Sequence, residues 1–192
     1  MDRAGVPFTQ LNKIIITHQD FDHIGGLKEL LMDHKIEVIS HQEEKPYIEG
    51  EKRLIKMTPE RLAKMFESLP ESQREVEEAR FLESLRSNVQ QVVNDGDLLP
   101  YCGGITVIHT SGHTPGHICL YLNESKTLIT GDALNVAEGQ LVGPNPIHTA
   151  DMELAKASLR KLTGYDIKTV ICYHGGVYKD NVNQRLKELA EV

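Results

Sequence analysis

The sequence predicts a mixed α/β (α+β) fold in a single domain, residues 1–192, and three observations predict it. A β-branched run, Ile14-Ile15-Ile16, stops at Thr17 and gives way to apolar residues at helical spacing, then to a second short apolar run. Between 58 and 87 the apolar residues again recur at helical spacing, among many charges. From Val89 the texture changes to short strand-like runs punctuated by turn residues, with helical patterns near the C-terminus.

Taken in order, residues 1–12 hold Gly5 and Pro7 and read as a turn-rich approach. Lys13 to Thr17 reads as a strand buried on both faces, because its apolar run does not alternate. Ile24, Leu27, Leu30 and Leu31 share one helical face over 24–32, and Ile36 to Ser40 is a second strand. Strand, helix and strand at this spacing predict a right-handed parallel crossover. The segment 41–57 is polar and irregular. Thr58 followed by Pro59 is a helix start, Pro70 is a break, and Glu71 to Ser87 is a charged helix with Val76, Ala79, Leu82 and Leu85 in a stripe. This helical insert, about 58–87, reads either as a packed surface hairpin or as a lid whose Leu62, Met65 and Phe66 wall a site. Asn94-Asp95-Gly96-Asp97 is a turn. Strands follow at 105–109, 118–122, 127–130 and 168–173, with helices at 150–162 and 180–191.

Composition narrows the function. Of the 192 residues 40% are hydrophobic and 26% charged, as in a globular domain of ordinary size. The net charge of −7 and the absence of a basic run argue against a nucleic-acid partner, and an aromatic content of 5% without Trp argues against base stacking. No apolar stretch approaches the ~20 residues of a membrane span. MDRAGVPFTQ lacks the apolar region of a secretion signal. Cys102, Cys119 and Cys172 form no CxxC pair, and a reducing, cytoplasmic setting is expected.

Four runs end in residues able to hold a cation. After Ile14–Ile16 come His18, Asp20, Asp22 and His23, then Gly25-Gly26. Strand 105–109 leads into SGHTPGH with His113, strand 127–130 into Gly131-Asp132, and strand 168–173 into His174-Gly175-Gly176. Imidazoles and carboxylates on turns between rigid elements suit a borderline divalent metal. The bland alternative is that the first cluster caps the next helix. His117 reads as an orienting residue, His109 as structural, His34 and His41 as solvated. His148 is a candidate to face substrate, and Tyr173 and Tyr178 read as packing residues that flank His174.

Together HQDFDH-x-GG, SGHTPGH, TGDAL and YHGG resemble the metallo-β-lactamase superfamily over Thr17 to Gly176. The resemblance implies a four-layer αββα sandwich with a dinuclear metal site at one edge of its sheets. It implies His18, Asp20 and His113 at a first metal, Asp22, His23 and His174 at a second, and Asp132 bridging them. Two departures stand out. The family motif usually reads HxHxDH, and Asp20 occupies the second His position. An anionic ligand there raises the pKa of bound water and shifts preference from zinc toward manganese or iron. The chain also has only seventeen residues up to that motif where the family carries several strands, so part of the N-terminal sheet is expected to be missing.

The implied function is metal-dependent hydrolysis of a small ester, lactone or thioester. Two divalent ions, Zn²⁺ first and Mn²⁺ or Fe²⁺ as alternatives, would lower the pKa of a bound water, and Asp22 would hold the resulting hydroxide in line and take part in moving its proton as it attacks. The substrate-binding residues are not legible. Two rival readings remain at this point: a mononuclear iron oxygenase on the same fold, and a shortened, metal-binding protein without activity. An apolar strand with little chain to cover it predicts a homodimer.

Overall fold

The computed structural model describes residues 7–32 and 34–191. They divide into two compact units, one holding the described residues up to Ser40 and Glu44–Val92, the other His41–Glu43 and Val93 onward.

In the first unit, apart from the end residues His41 and Val93, β1 (Lys13–Ile16), β2 (Glu37–His41) and β3 (Gln91–Val93) form a sheet in that order. β1 and β2 are parallel, with Ile14 opposite Val38 and Ile16 opposite Ser40, as the crossover requires. The crossover is not one helix. α1 (Phe21–Ile24) and α2 (Leu27–Met32) are separated at Gly25-Gly26, where glycine's low helix propensity interrupts the pattern. Among the described residues β1 lies on the outside of this sheet, which differs from the reading of a strand buried on both faces. Of its residues only Ile16 is buried. A continuous apolar run suits a two-sided strand, but it equally suits an outer strand whose ends are fastened by polar contacts. Here Lys13 Nζ meets Glu37 across the pair.

The core of this unit gathers Ile16, Ile24, Leu27, Val38, Ile48, Leu54, Met57, Leu62, Leu85 and Val89. Ile48 comes from α3 (Lys45–Ile48). Leu62 comes from α4 (Pro59–Met65), which starts where the sequence predicts: Thr58 Oγ1 accepts from Arg61 N–H at 3.2 Å. Leu62 is fully buried, and Phe66 packs edge-on against Phe81 of α5 (Glu71–Ser84), ring centres 5.9 Å apart. Leu62 belongs to this core, Phe66 is partly buried against it, and Met65 is exposed. The predicted stripe of α5 is used at its C-terminal end, where Leu82 and Leu85 pack. Val76 is exposed.

The second unit is built on a six-stranded sheet. β4 (Leu98–Leu99), β5 (Ile105–His109), β6 (Ile118–Leu122) and β7 (Thr127–Ile129) run antiparallel in succession, β10 (Thr169–Cys172) lies parallel to β7, and β11 (Gly176–Tyr178) pairs antiparallel at the outside. β8 (Asn135–Ala137) and β9 (Gln140–Val142) form a separate two-stranded sheet. β11 and the hairpin escape the sequence reading, because three residues carry too little pattern. α6 (Met152–Leu162) and α7 (Val182–Glu191) bury Leu159, Leu162 and Leu186 against Ile108, Leu128 and Val170 of the sheet core. Asp151 caps α6, accepting from Leu154 N–H at 2.9 Å. No helix among the described residues is long and apolar enough to cross a membrane.

Candidate metal centre

The candidate ligands lie on loops that leave β1, β5, β7 and β10.

In the first unit the chain leaves β1 at Thr17. His18 is buried, with Nδ1 3.1 Å from Thr17 Oγ1 and Nε2 3.4 Å from Asp20 Oδ2. Asp20 occupies the N-cap position of α1, and its carbonyl accepts from His23 N–H and Ile24 N–H at 2.9 and 3.1 Å. Its carboxylate does not cap the helix. It turns to His18 and to Lys56 Nζ instead, which removes the capping explanation for this residue. One helical turn brings His23 back beneath His18, with ring centres 3.9 Å apart. Asp22 Oδ2 lies 3.7 Å from His23 Nε2, and its side chain is 35% exposed, the most open of the four.

Gln19, between two candidate ligands, points away and is gripped. Its backbone N–H and its Nε2 donate to Glu44 Oε2 at 2.8 and 3.1 Å, and its Oε1 accepts from Ile55 N–H at 2.8 Å. Glu44 is fully buried. This clamp fixes the ligand loop from behind, and the sequence gives no sign of it beyond the conspicuous Gln in the motif.

In the second unit, the loop after β5 closes on itself: Thr110 N–H donates to His117 carbonyl at 2.8 Å and Gly112 N–H to Thr114 carbonyl at 3.1 Å. Gly112 has φ +128, and a Cβ on it would sit 2.2 Å from Ala155 N, so only glycine fits. The loop is also tied to the start of α6, where Asp151 N–H donates to Gly112 carbonyl at 2.9 Å. His113 is buried, with Nδ1 3.4 Å from Thr149 Oγ1 and Nε2 3.5 Å from Asp132 Oδ2. Asp132 follows β7. The same Oδ2 lies 3.4 Å from Nε2 of His174, which follows β10. His174 is half exposed, and the ring of the exposed Tyr173 stands edge-on to it at 4.9 Å. Its carbonyl is held by Val136 N–H of the hairpin at 3.1 Å, and Gly175 (φ +92) leaves no room for a Cβ beside Val136 O, which would lie 1.9 Å away.

His117 uses both ring nitrogens within the second unit. Nε2 accepts from Asp132 N–H at 3.1 Å, so Nδ1 carries the proton, and Thr110 Oγ1 lies 2.8 Å from it. It orients, as the sequence suggests. His41 is buried rather than solvated, and stacks on His109 at 4.1 Å; His109 Nε2 donates to Pro115 carbonyl at 2.8 Å. His34 stacks on Phe8 at 6.1 Å, His148 is exposed, and Tyr178 is buried in the core. The two buried thiols are poor nucleophiles: burial pushes Cys119 up to about 12 and Cys172 up to about 11.

Imidazoles and carboxylates in this mixture, on loops fastened by backbone hydrogen bonds, fit divalent cations such as zinc, iron or manganese. They define a metal-binding protein of mixed α/β fold. The chain matches the metallo-beta-lactamase superfamily over residues 2–174, and it belongs to that family and has its fold. It is similar to the probable metallo-hydrolase YflN of Bacillus subtilis (strain 168), at 32% identity over 94% of this chain and 71% of that one. It is similar in structure to the metallo-beta-lactamase family protein TTHA1429 of Thermus thermophilus, with TM-score 0.68 and 26% identity, over 99% of this chain and 63% of that protein. It also matches the atrochrysone carboxyl ACP thioesterase nsrC of Aspergillus novofumigatus (strain IBT 16806) at 22% identity, over 94% of this chain and 42% of that enzyme. The chain thus spans between two fifths and about seven tenths of these relatives' lengths.

Proposed function

We propose that the chain is a metal-dependent hydrolase of a small ester, lactone or thioester, with two divalent ions, zinc first among them. The residues that would hold them are His18, Asp20 and His113 for one ion and Asp22, His23 and His174 for the other, with Asp132 serving both. The observation that carries the reading is Asp132 Oδ2, shared at 3.5 and 3.4 Å by imidazoles from two different strand ends. Bound divalent ions supply a hydroxide at neutral pH and stabilise the negative charge that develops on the substrate.

The chain's own residues do the rest. Asp22, the most open carboxylate of its loop, takes the proton released during attack. The Gln19–Glu44 clamp and the His117–Asp132 bond keep the ligands from swinging when substrate enters. No other nucleophile is called for, and the buried thiols agree. The thioesterase name among the relatives supports including thioesters in the substrate class. A cytoplasmic setting and a homodimer complete the reading. β1 lies outermost in its sheet with Ile14 and Ile15 only half buried, an edge suited to a second copy.

The test is elemental analysis combined with a panel of p-nitrophenyl esters, lactones and thioesters. Two metals per chain and turnover of one class, with metal content and turnover both lowered in Asp22→Asn, support the reading. No metal in protein purified from zinc-supplemented medium overturns it. Sedimentation at micromolar concentration tests the dimer.

A further inference from the structure

Asp20 is where this chain departs from the usual ligand order, and a second residue accompanies the departure. Lys56, thirty-six positions later, sets Nζ against Asp20 Oδ2. That oxygen is also the one 3.4 Å from His18 Nε2. The two side chains are only 16% and 12% exposed, so the pair is shielded from water on most sides. Its placement is built into the backbone. Ile55, the residue before Lys56, donates its N–H to Gln19, the residue before Asp20, and Arg61 Nη1 holds the Lys56 carbonyl at 3.3 Å. Lys56 is thus a partly buried ammonium delivered to a ligand carboxylate by fixed chain on both sides.

An ammonium and a divalent cation repel strongly at contact distance when water is largely excluded, so they do not share one carboxylate oxygen comfortably. We propose that Lys56 is a built-in competitor for the first metal position, which fills only as Lys56 Nζ leaves Asp20. The inference rests on the dinuclear reading above and gives it a regulation. The position that includes Asp20 fills second, at higher metal concentration than the other. The aspartate and the lysine act as a unit. The carboxylate in place of imidazole is offset by its own internal cation, and the charge of the first position changes only when metal replaces it.

The test is a zinc titration of the full chain against a competing chromophoric chelator. Wild type is expected to bind in two separated steps. Lys56→Met tightens the weaker step at least tenfold and changes the stronger by less than threefold, whereas Lys56→Arg keeps the wild-type separation. Asp20→His tightens the weaker step only when combined with Lys56→Met. Amine acetylation of wild-type protein, read by mass spectrometry, gives a measure that needs no variant: Lys56 is labelled several-fold faster at saturating zinc than without it. Two zinc steps unaltered by Lys56→Met, or Lys56 labelling unchanged by zinc, overturn the inference while leaving the metal centre standing. Absence of zinc binding by wild type and Lys56→Met alike overturns the metal centre itself, and this inference with it.

Discussion

The backbone N–H of Asp132 donates to Nε2 of His117 at 3.1 Å, so the residue that carries the shared carboxylate is fixed by a histidine fifteen positions earlier. With both nitrogens engaged, His117 holds a single neutral tautomer. His117→Ala leaves that N–H without its acceptor in a buried place. It is expected to cost about 1–3 kcal/mol of stability. It is also expected to weaken zinc binding about 10–100-fold. Denaturant unfolding with and without zinc separates the two effects.

His113 and Asp132 are both buried, and their side chains are tied to different strands of one sheet. A metal held between them adds its binding energy to folding. His113→Ala is expected to lower metal content and melting temperature together, and adding excess chelator is expected to bring wild type down toward the variant. Metal per chain unchanged in His113→Ala removes His113 from the ligand set.

Gly112 and Gly175 shape two of the ligand loops. Each has positive φ, and an added Cβ would strike backbone, at 2.2 Å from Ala155 N and 1.9 Å from Val136 O. Gly112→Ala and Gly175→Ala are each expected to cost roughly 3 kcal/mol or more, from backbone strain plus overpacking. The cost is read as a shift of the denaturation midpoint. A control such as Gly139→Ala has positive φ but open space around its Cβ, and is expected to lose less.

His41 provides a pH dependence. Burial holds its pKa below the usual value, aided by stacked His109 and by Lys161, against the opposing pull of Glu43 and Asp95. The unfolded chain therefore takes up a proton near pH 6.5 that the folded chain refuses until lower pH. Stability from this group is intact above pH 6.5 and falls as the solution is acidified through the window between the unfolded and folded values. His41→Gln is expected to flatten that part of the stability-against-pH curve. An identical acid slope in the variant assigns the loss to other groups.

The loops that carry the candidate ligands are readable in the sequence because each is local: a few apolar residues, then His or Asp beside Gly. The same locality made the parallel pairing of β1 with β2, the Thr58 cap and the strands around 105–129 legible. The misses are those that depend on distant chain. β1 is outermost because of what pairs with β2, which its own residues do not encode. His41 is buried by its stack on His109, sixty-eight positions away in the sequence. Leu62 reads equally well as core or as wall, since burial, not spacing, distinguishes them. Lys56 looks like any surface lysine until the fold brings it to Asp20.

Gln19 sits between the candidate ligands His18 and Asp20 along the loop, yet its amide oxygen is bound to the residue next to Lys56. One side chain therefore sets the register of two strips of chain at once. Any shift of the ligand loop drags the lysine along with it, so the distance between the carboxylate and its ammonium is insulated from breathing of either strip. Substitutions at Gln19 would release that coupling, letting geometry and charge drift separately, and this makes Gln19 the natural place to begin re-engineering the metal preference of the loop.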